Sequence, residues 1–233
     1  MPLPIRQFVV ERTRGIVQAG PFAGMRILPE VCWGDGDLSP KLLGVYEQEL
    51  QPVLAELVYG GFDAFINIGC GEGYYAVGVA RLVPDLPVYA YDLNPDTVPI
   101  LQRNAALNGV AGRIQSRSEC LPAHLAAHAA EQGRLFILSD CENYEKTLFT
   151  DPQMLDSLRD SHILIETHDF MDPDSTTNVF AALWPSHRID ILYPGARNPN
   201  QFPGLARYSD RERWDAINEH RPCLMNWLYC RPR

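Results

Sequence analysis

The sequence predicts an α/β protein built on a doubly wound, mainly parallel sheet with helices on both faces. Three observations carry this expectation. Between residues 64 and 183, short apolar runs alternate with segments of helical periodicity. The first run ends in a glycine turn, Gly69-Cys70-Gly71-Glu72-Gly73, that opens a helix. The second run ends in Asp92, about 20 residues beyond that turn, where an acidic residue reaches ribose hydroxyls. Right-handed crossovers leave few other topologies for such a repeat.

Residues 1–38 read as irregular, with turns at Gly20-Pro21 and across Gly34-Asp35-Gly36-Asp37. The acidic turn lacks the spacing of a calcium loop. A helix is expected from Ser39, which caps it, with Pro40 in the first helical position. Leu42, Leu43, Tyr46, Leu50, Leu54 and Leu57 continue it at helical spacing, and Gly60-Gly61 ends it. Ala64 to Ile68 is a buried strand, followed by a helix from Tyr74 to Leu82 and a strand from Val88 to Asp92. Asn94 caps the next helix, Pro95 starts it and Gly109 lies past its end. A weak strand over Arg113 to Arg117 precedes an Ala-rich helix, Pro122 to Gln132. Leu135 to Leu138 is the fourth strand, Asp151-Pro152 opens a helix, Ile163 to Ile165 is the fifth strand, and Thr176 to Leu183 is helical. The tail breaks the rhythm. It offers two further strands, Ile189 to Tyr193 and Met225 to Cys230, with a loop from Pro194 to Gly204 and a helix from Asp210 to His220 between them.

A chain of 233 residues with 46% hydrophobic content fits one α/β domain with a modest extension. Residues 1–60 read as that extension, a possible lid rather than an independent domain, and 61–233 as the domain proper. No run approaches the ~20 apolar residues that span a bilayer, and the first residues lack the layout of a signal peptide. The expected location is cytoplasmic, with no membrane partner. A formal net charge of -9 argues against a nucleic-acid substrate. Nearly all the positive charge is arginine; Lys41 and Lys146 are the two lysines. The six cysteines form no Cys-x-x-Cys pair or zinc spacing and read as free thiols. His124 and His128 sit four apart on a helix without the His-Glu-x-x-His pattern, and no metal is expected.

The glycine turn is not the dinucleotide fingerprint, because Tyr74 stands where its third glycine belongs. Ile66-Asn-Ile-Gly-Cys-Gly-Glu-Gly73 and Tyr89-Ala-Tyr-Asp92 resemble the first two motifs of class I S-adenosylmethionine-dependent methyltransferases. More narrowly, Tyr91-Asp-Leu-Asn-Pro95 with Leu101, Asn104 and Leu107-Asn-Gly109 is similar to the FkbM-type methyltransferases. Asp140-Cys-Glu-Asn-Tyr-Glu145 resembles that family's Asp-x-Glu-Gly-x-Glu element, and Ile165-Glu-Thr-His168 its Glu-x-His element. The likeness covers roughly residues 62 to 170.

It implies a Rossmann-like seven-stranded sheet of order 3-2-1-4-5-7-6 with strand 7 antiparallel. It also implies S-adenosylmethionine as cofactor, held by Asn67, Gly69, Gly71, Gly73, Asp92, Leu93 and Asp140. Glu119 or Cys120 is placed near the adenine by position. Two departures stand out. Asn67 replaces the usual acidic residue, with Glu72 as a compensating or a solvent-facing group. Asn143 replaces a glycine, and asparagine tolerates the left-handed conformation that glycine would supply. The implied activity is methyl transfer, with oxygen of a small molecule as acceptor.

Removing the acceptor's proton needs a base. His168 is the first candidate because imidazole titrates near neutrality, with Asp140 and Glu142 as rivals or orienting groups and Glu166 as a partner of the imidazole. Residues 20–46 and the loop Arg197 to Phe202 are expected near the acceptor. Trp33, Tyr46 and Tyr193 are apolar pocket candidates, and equally core or interface residues. Tyr74 and Tyr75 lie near the cofactor or in the core. Two other functions share these features. One is a nicotinamide-dependent oxidoreductase, which Tyr74 and the lack of a Tyr-x-x-x-Lys pair disfavour. The other is a non-catalytic scaffold, which Asn67 and Asn143 keep open.

Overall fold

The computed structural model describes residues 3–30 and 37–233. Its centre is a seven-stranded sheet of order β3-β2-β1-β4-β5-β7-β6. The strands are β1 (Ala64–Ile68), β2 (Val88–Tyr91), β3 (Ile114–Arg117), β4 (Leu135–Ser139), β5 (His162–Thr167), β6 (His187–Leu192) and β7 (Asn226–Pro232). The first five are parallel, and β7 runs antiparallel between β5 and β6. β1 and β4 are fully buried apolar runs, as expected of strands covered on both faces.

The register positions the site. Ile68 pairs with Tyr91 on one side and Ser139 on the other, and Ser139 pairs with Ile165. The next residue in each chain segment is therefore Gly69, Asp92, Asp140 and Glu166. All four emerge in a row at one edge of the sheet, where parallel sheets present their ligand sites.

The helices are α1 (Ile5–Thr13), α2 (Leu38–Leu43), α3 (Gln51–Tyr59), α4 (Tyr74–Leu82), α5 (Thr97–Leu107), α6 (Pro122–Gln132), α7 (Glu145–Leu148), α8 (Pro152–Ser157), α9 (Ser175–Leu183) and α10 (Asp210–Asp215). One apolar layer joins residues of α1 to α5 with Phe65, Phe136 and Trp227; the other joins Leu125, Met154, Leu158 and Val179 with Ile66, Ile137 and Ile163. The N-terminal segment shares the first layer: Phe22 lies edge-on to Tyr74 and Tyr75 of α4. Among the described residues, no helix is long and apolar enough to cross a membrane.

Several local expectations need correction. Residues 5–13 are helical, not irregular, and bury Ile5, Phe8 and Val9. The helix expected from Ser39 to Leu57 is broken in two. Gly44 ends α2 in the left-handed conformation, φ 78°, and a Cβ there would lie 2.1 Å from the Ala19 carbonyl oxygen. Ser39 sits inside α2 rather than capping it. Helix α5 starts at Thr97 rather than Pro95, because the Asn94 side chain accepts from Asp96 N–H and forms a turn first. Helix α10 is shorter than expected, and α7 was not foreseen. The cysteine and aromatic readings at Cys32 and Trp33, and the turn through Gly36, lie outside the described residues.

At the start of β5, His162 gives a pH-dependent contribution to stability. Arg134 donates to His162 Nε2 (3.0 Å), so that nitrogen must be unprotonated, and Nδ1 lies 2.8 Å from Tyr229 Oη, which donates to Glu56. Burial and then the Arg134 charge bring the imidazole down to about 4. A folded-state value below the ordinary one means stability present above about 6.5 and lost as pH falls. Urea unfolding at pH 7 and pH 5 should show wild type losing about 1–2 kcal/mol more than His162→Gln. Equal losses would mean that His162 charges freely in the folded state.

Candidate functional site

A cavity of about 460 Å³ opens at the carboxyl edge of β1, β2, β4 and β5. The glycine turn forms its floor. Gly69, Gly71 and Gly73 have φ of 70°, 50° and 88°. A Cβ on Gly69 would lie 1.6 Å from the Asp140 carbonyl oxygen, so no larger residue fits where β1 and β4 exit together. Asp92 joins the turns after β1 and β2: Oδ2 accepts from Gly71 N–H (2.7 Å) and Oδ1 from Asn94 N–H (2.9 Å). Asn104 braces the same turn from α5, donating to the Glu72 carbonyl and accepting from Leu28 N–H (both 2.9 Å).

One end of the cavity is lined by Leu93, Ser118, Glu119, Cys120 and Tyr144. Burial pushes the Cys120 thiol up to about 12, so it is inert and protonated. The other end is walled by Lys41, Tyr46, Glu47, Tyr75, Glu166 and Arg221. Here Lys41 Nζ meets Glu72 at 2.6 Å, both side chains being buried, and lies 4.6 Å from the Tyr46 ring centroid. Burial opposes the charge on Glu72, but Lys41 more than offsets it and holds the carboxyl below its usual range.

Arg221 organises the acidic wall. It donates to Glu47 (2.7 Å), Glu219 (2.8 Å) and Glu166. Tyr75 also donates to Glu47. Burial, then the facing Glu166, push the Glu47 carboxyl up to about 8 against the pull of Arg221. Asp140 is pushed well up by burial and Glu166. Behind them stands His168, fully buried. Its Nδ1 is 3.2 Å from Glu145, and its Nε2 lies 3.5 Å from Asp140, 3.5 Å from Glu166 and 3.6 Å from Glu142. Burial works against the imidazolium, but the surrounding carboxylates, Glu145 foremost, push it up to about 11.

No family model matches the chain. A stretch of 49 residues is 41% identical to the ribosomal protein L11 methyltransferase of Brucella suis, covering 21% of this chain and 17% of that protein. The chain therefore matches about a sixth of the length of this curated relative. Solved structures align more broadly. The O-methyltransferase from Bacillus cereus, in complex with SAH, aligns with a TM-score of 0.55 at 11% identity, covering 100% of this chain and 92% of that one. The O-methyltransferase TomG from Streptomyces achromogenes, in complex with SAM, aligns at 0.55 and 10% identity, covering 100% and 90%. Precorrin-6y C5,15-methyltransferase from Geobacter metallireducens aligns at 0.54 and 13% identity, covering 78% and 89%. This is the class I methyltransferase fold. Its reversed β7, lying between β5 and β6, departs from the 3-2-1-4-5-6 order of the dinucleotide fold, and the oxidoreductase alternative is not favoured.

Within the methyltransferase fold, the structure brings Gly69, Gly71, Asp92, Leu93, Glu119, Cys120, Asp140 and Glu142 to one cavity. Three expected site residues do not line it. Asn67 is enclosed one residue below the rim, with neither side-chain polar atom hydrogen-bonded. Gly73 serves packing, since a Cβ there would meet Leu101 Cγ at 2.8 Å. His168 is fully buried behind its carboxylates and does not line the cavity. Glu72 is buried against Lys41 rather than solvent-facing. Asn143 does take the left-handed conformation, φ 78°, and Glu142 joins it at φ 51°. Arg197 lies outside the main cavity, where it bonds Val45, Glu49 and Glu219, and Tyr193 is exposed. His124 and His128 are engaged with Leu121 N–H and Tyr91 Oη, not with each other. Sequence reasoning gave no role to Glu47, Glu219 and Arg221. Lys41 was marked only by the scarcity of lysine.

Proposed function

We propose that the chain is an S-adenosylmethionine-dependent methyltransferase acting on oxygen of a small hydroxylated molecule. The carrying observation is Asp92, whose carboxylate binds the glycine turn and faces the cavity at the switch between β1 and β4. Free lone pairs on that carboxylate suit the two hydroxyls of a ribose. The cradle also fits: Gly69 and Gly71 bring bare backbone to the cavity floor, and Leu93, Glu119 and Cys120 line the end where the adenine belongs. S-adenosylmethionine, when bound, supplies an electrophilic methyl group on a sulfonium.

The chain's own residues must then align the acceptor and take its proton. With the cofactor bound, a carboxylate at the cavity wall would take the acceptor's proton as the acceptor oxygen is methylated. Asp140 and Glu142 line the cavity and suit that task; His168, which does not, orders the carboxylates instead. The acidic wall of Glu47, Glu166 and Glu219 favours an acceptor rich in hydroxyl donors over an anionic one. An FkbM-type assignment is supported by its two acidic elements, Asp140–Glu145 and Glu166–His168, meeting in one cluster.

Calorimetric titration with S-adenosylmethionine, S-adenosylhomocysteine and NAD tests the cofactor. Micromolar binding of the first two and none of NAD is expected, followed by transfer of labelled methyl to a hydroxylated acceptor in a screen. Binding of NAD alone would return the chain to redox chemistry. Cofactor binding with methyl transfer only to amines would move the acceptor atom from oxygen to nitrogen. No binding at all would favour the scaffold.

A further inference from the structure

The sheet ends on β3 and β6, and the two edges differ. β3 is four residues long, with alternate side chains exposed. β6 is six residues long and pairs with β7 in unbroken register from His187 to Leu192, with no bulge, proline or lysine to guard its outer side. Among the described residues, no hydrogen bond outside the β7 ladder reaches the backbone of Arg188 to Leu192. The outward N–H and C=O groups of this strand are therefore a template for another strand. One face beside the edge is apolar. Ile189 packs there with Phe180 against the layer of Val179 and Leu183, and Ile191 follows on the same face by the two-residue period. Ile191, Tyr193 and Trp184, just past the end of α9, are large apolar side chains left exposed.

The other face carries Arg188 and Asp190, on either side of Ile189. Asp190 is held from within by Arg231 of β7, whereas the Arg188 side chain is 72% exposed, with Nε 4.0 Å from Asp190. This order of charges is self-complementary. An antiparallel partner related by a two-fold axis through Ile189 sets Ile189 opposite Ile189, and Arg188 of each copy opposite Asp190 of the other. Each Asp190 then lies between Arg231 of its own chain and Arg188 of the second. An axis through Asp190 would instead set two carboxylates opposite each other, and an axis through Ile191 would set Asp190 opposite Leu192. The Ile189 axis also brings Tyr193 of one copy level with Pro185 of the other, beside Trp184, so that the exposed aromatic residues cover one another.

We propose that β6 is a dimer edge, at which two copies of this chain pair antiparallel about Ile189 and join their sheets into one. The occupant is a second copy rather than an unrelated strand, because the charges and the apolar residues of β6 answer each other under a two-fold axis. The cavity lies at β1, β2, β4 and β5, on the other side of β7, and the pairing does not rest on the methyl-transfer reading.

Analytical ultracentrifugation of the full chain across the micromolar range should show a monomer–dimer equilibrium. Hydrogen exchange at the same concentrations locates the contact: dilution should release amide protection along residues 188–192 and leave β3 unchanged. Arg188→Glu alters an exposed side chain and should keep the wild-type circular dichroism. It sets a carboxylate opposite Asp190 on both sides of the axis, turning two attractive cross-strand pairs repulsive, so association should weaken by about tenfold or more. Asp190→Lys should have the same effect. An equimolar mixture of the two variants restores both pairs and should dimerise as wild type does, which a packing defect in either would not allow. Should Asp190→Lys fail to fold, because Arg231 loses its partner, Arg188→Glu and the exchange data decide the matter. The proposal is overturned by any of four results: a monomer at every concentration, a dimer whose formation leaves protection at 188–192 unchanged, undiminished association of Arg188→Glu, or two folded variants that do not rescue each other. Failure of S-adenosylmethionine to bind the same protein would strike the proposed function and leave this result untouched.

Discussion

Asp92→Ala should lower the affinity for S-adenosylmethionine by ~100-fold or more. The carboxylate would bond two ribose hydroxyls, and hydrogen bonds to a charged group contribute about 1.5–3 kcal/mol each. Losing two of them is about 3 kcal/mol at the low end, which at 1.4 kcal/mol per decade exceeds a factor of 100. The side chain also has a structural task, since it accepts from Gly71 N–H and Asn94 N–H. The variant therefore leaves a backbone donor of the glycine turn without its partner. Thermal unfolding separates the two effects. A fall in melting temperature of a few degrees with the far-ultraviolet spectrum intact, alongside the lost affinity, fits both tasks. Asp92→Asn keeps an acceptor for one donor and should fall between wild type and Asp92→Ala in both measurements. Wild-type affinity in a folded Asp92→Ala would remove the ribose role.

That prediction rests on residues legible in the sequence, because each acts within its own strand, turn and helix. The apolar run of β1, the glycines after it and Asp92 after β2 are local signals, and parallel pairing in register then brings them together. The N-terminal helix was legible in principle: Ile5, Phe8 and Val9 recur at helical spacing, but Pro2, Pro4 and the glycines that follow masked them. The break at Gly44 was not legible, because it depends on contact with Ala19, from a segment that has to fold back first. The acidic wall was hidden for the same reason. Glu47 and Arg221 are 174 positions apart, and nothing near either marks the other as its partner. His168 shows a different limit. Its residue type and its neighbour Glu166 were visible, and they suggested a base. Its complete burial behind Asp140, Glu142 and Glu145 is set by how β4, α7 and β5 pack, which the spacing of residues along the chain does not encode.

Arg221→Leu should destabilise the fold by about 3–5 kcal/mol at pH 8, the range for removing one partner from a buried ionic cluster. One guanidinium serves Glu47, Glu166 and Glu219, whose side chains are all nearly inaccessible to water. Without it, three carboxylates face one another; among the described residues the Tyr75 hydroxyl still donates to Glu47 and the Arg197 guanidinium to Glu219, and His168 Nε2 lies 3.5 Å from Glu166. Burial and Glu166 already push Glu47 up to about 8 with the arginine present. Removing the arginine pushes the Glu47 carboxyl higher still. A carboxyl whose folded-state value is raised keeps its full stability below the ordinary value and loses it as pH rises through the folded one. The deficit of the variant should thus be small near pH 5 and grow toward pH 9, measured by urea unfolding at three pH values against wild type. A deficit that does not change with pH would mean that the loss is one of packing rather than of charge. Arg221→Lys distinguishes charge from geometry: a lysine restores the charge but cannot serve three carboxylates with one planar fork, so it should recover only part of the stability. Because Glu47, Glu166 and Arg221 also wall the cavity, the same variants should weaken acceptor use more than cofactor binding, which depends on Asp92 and the glycine turn at the other side of the site.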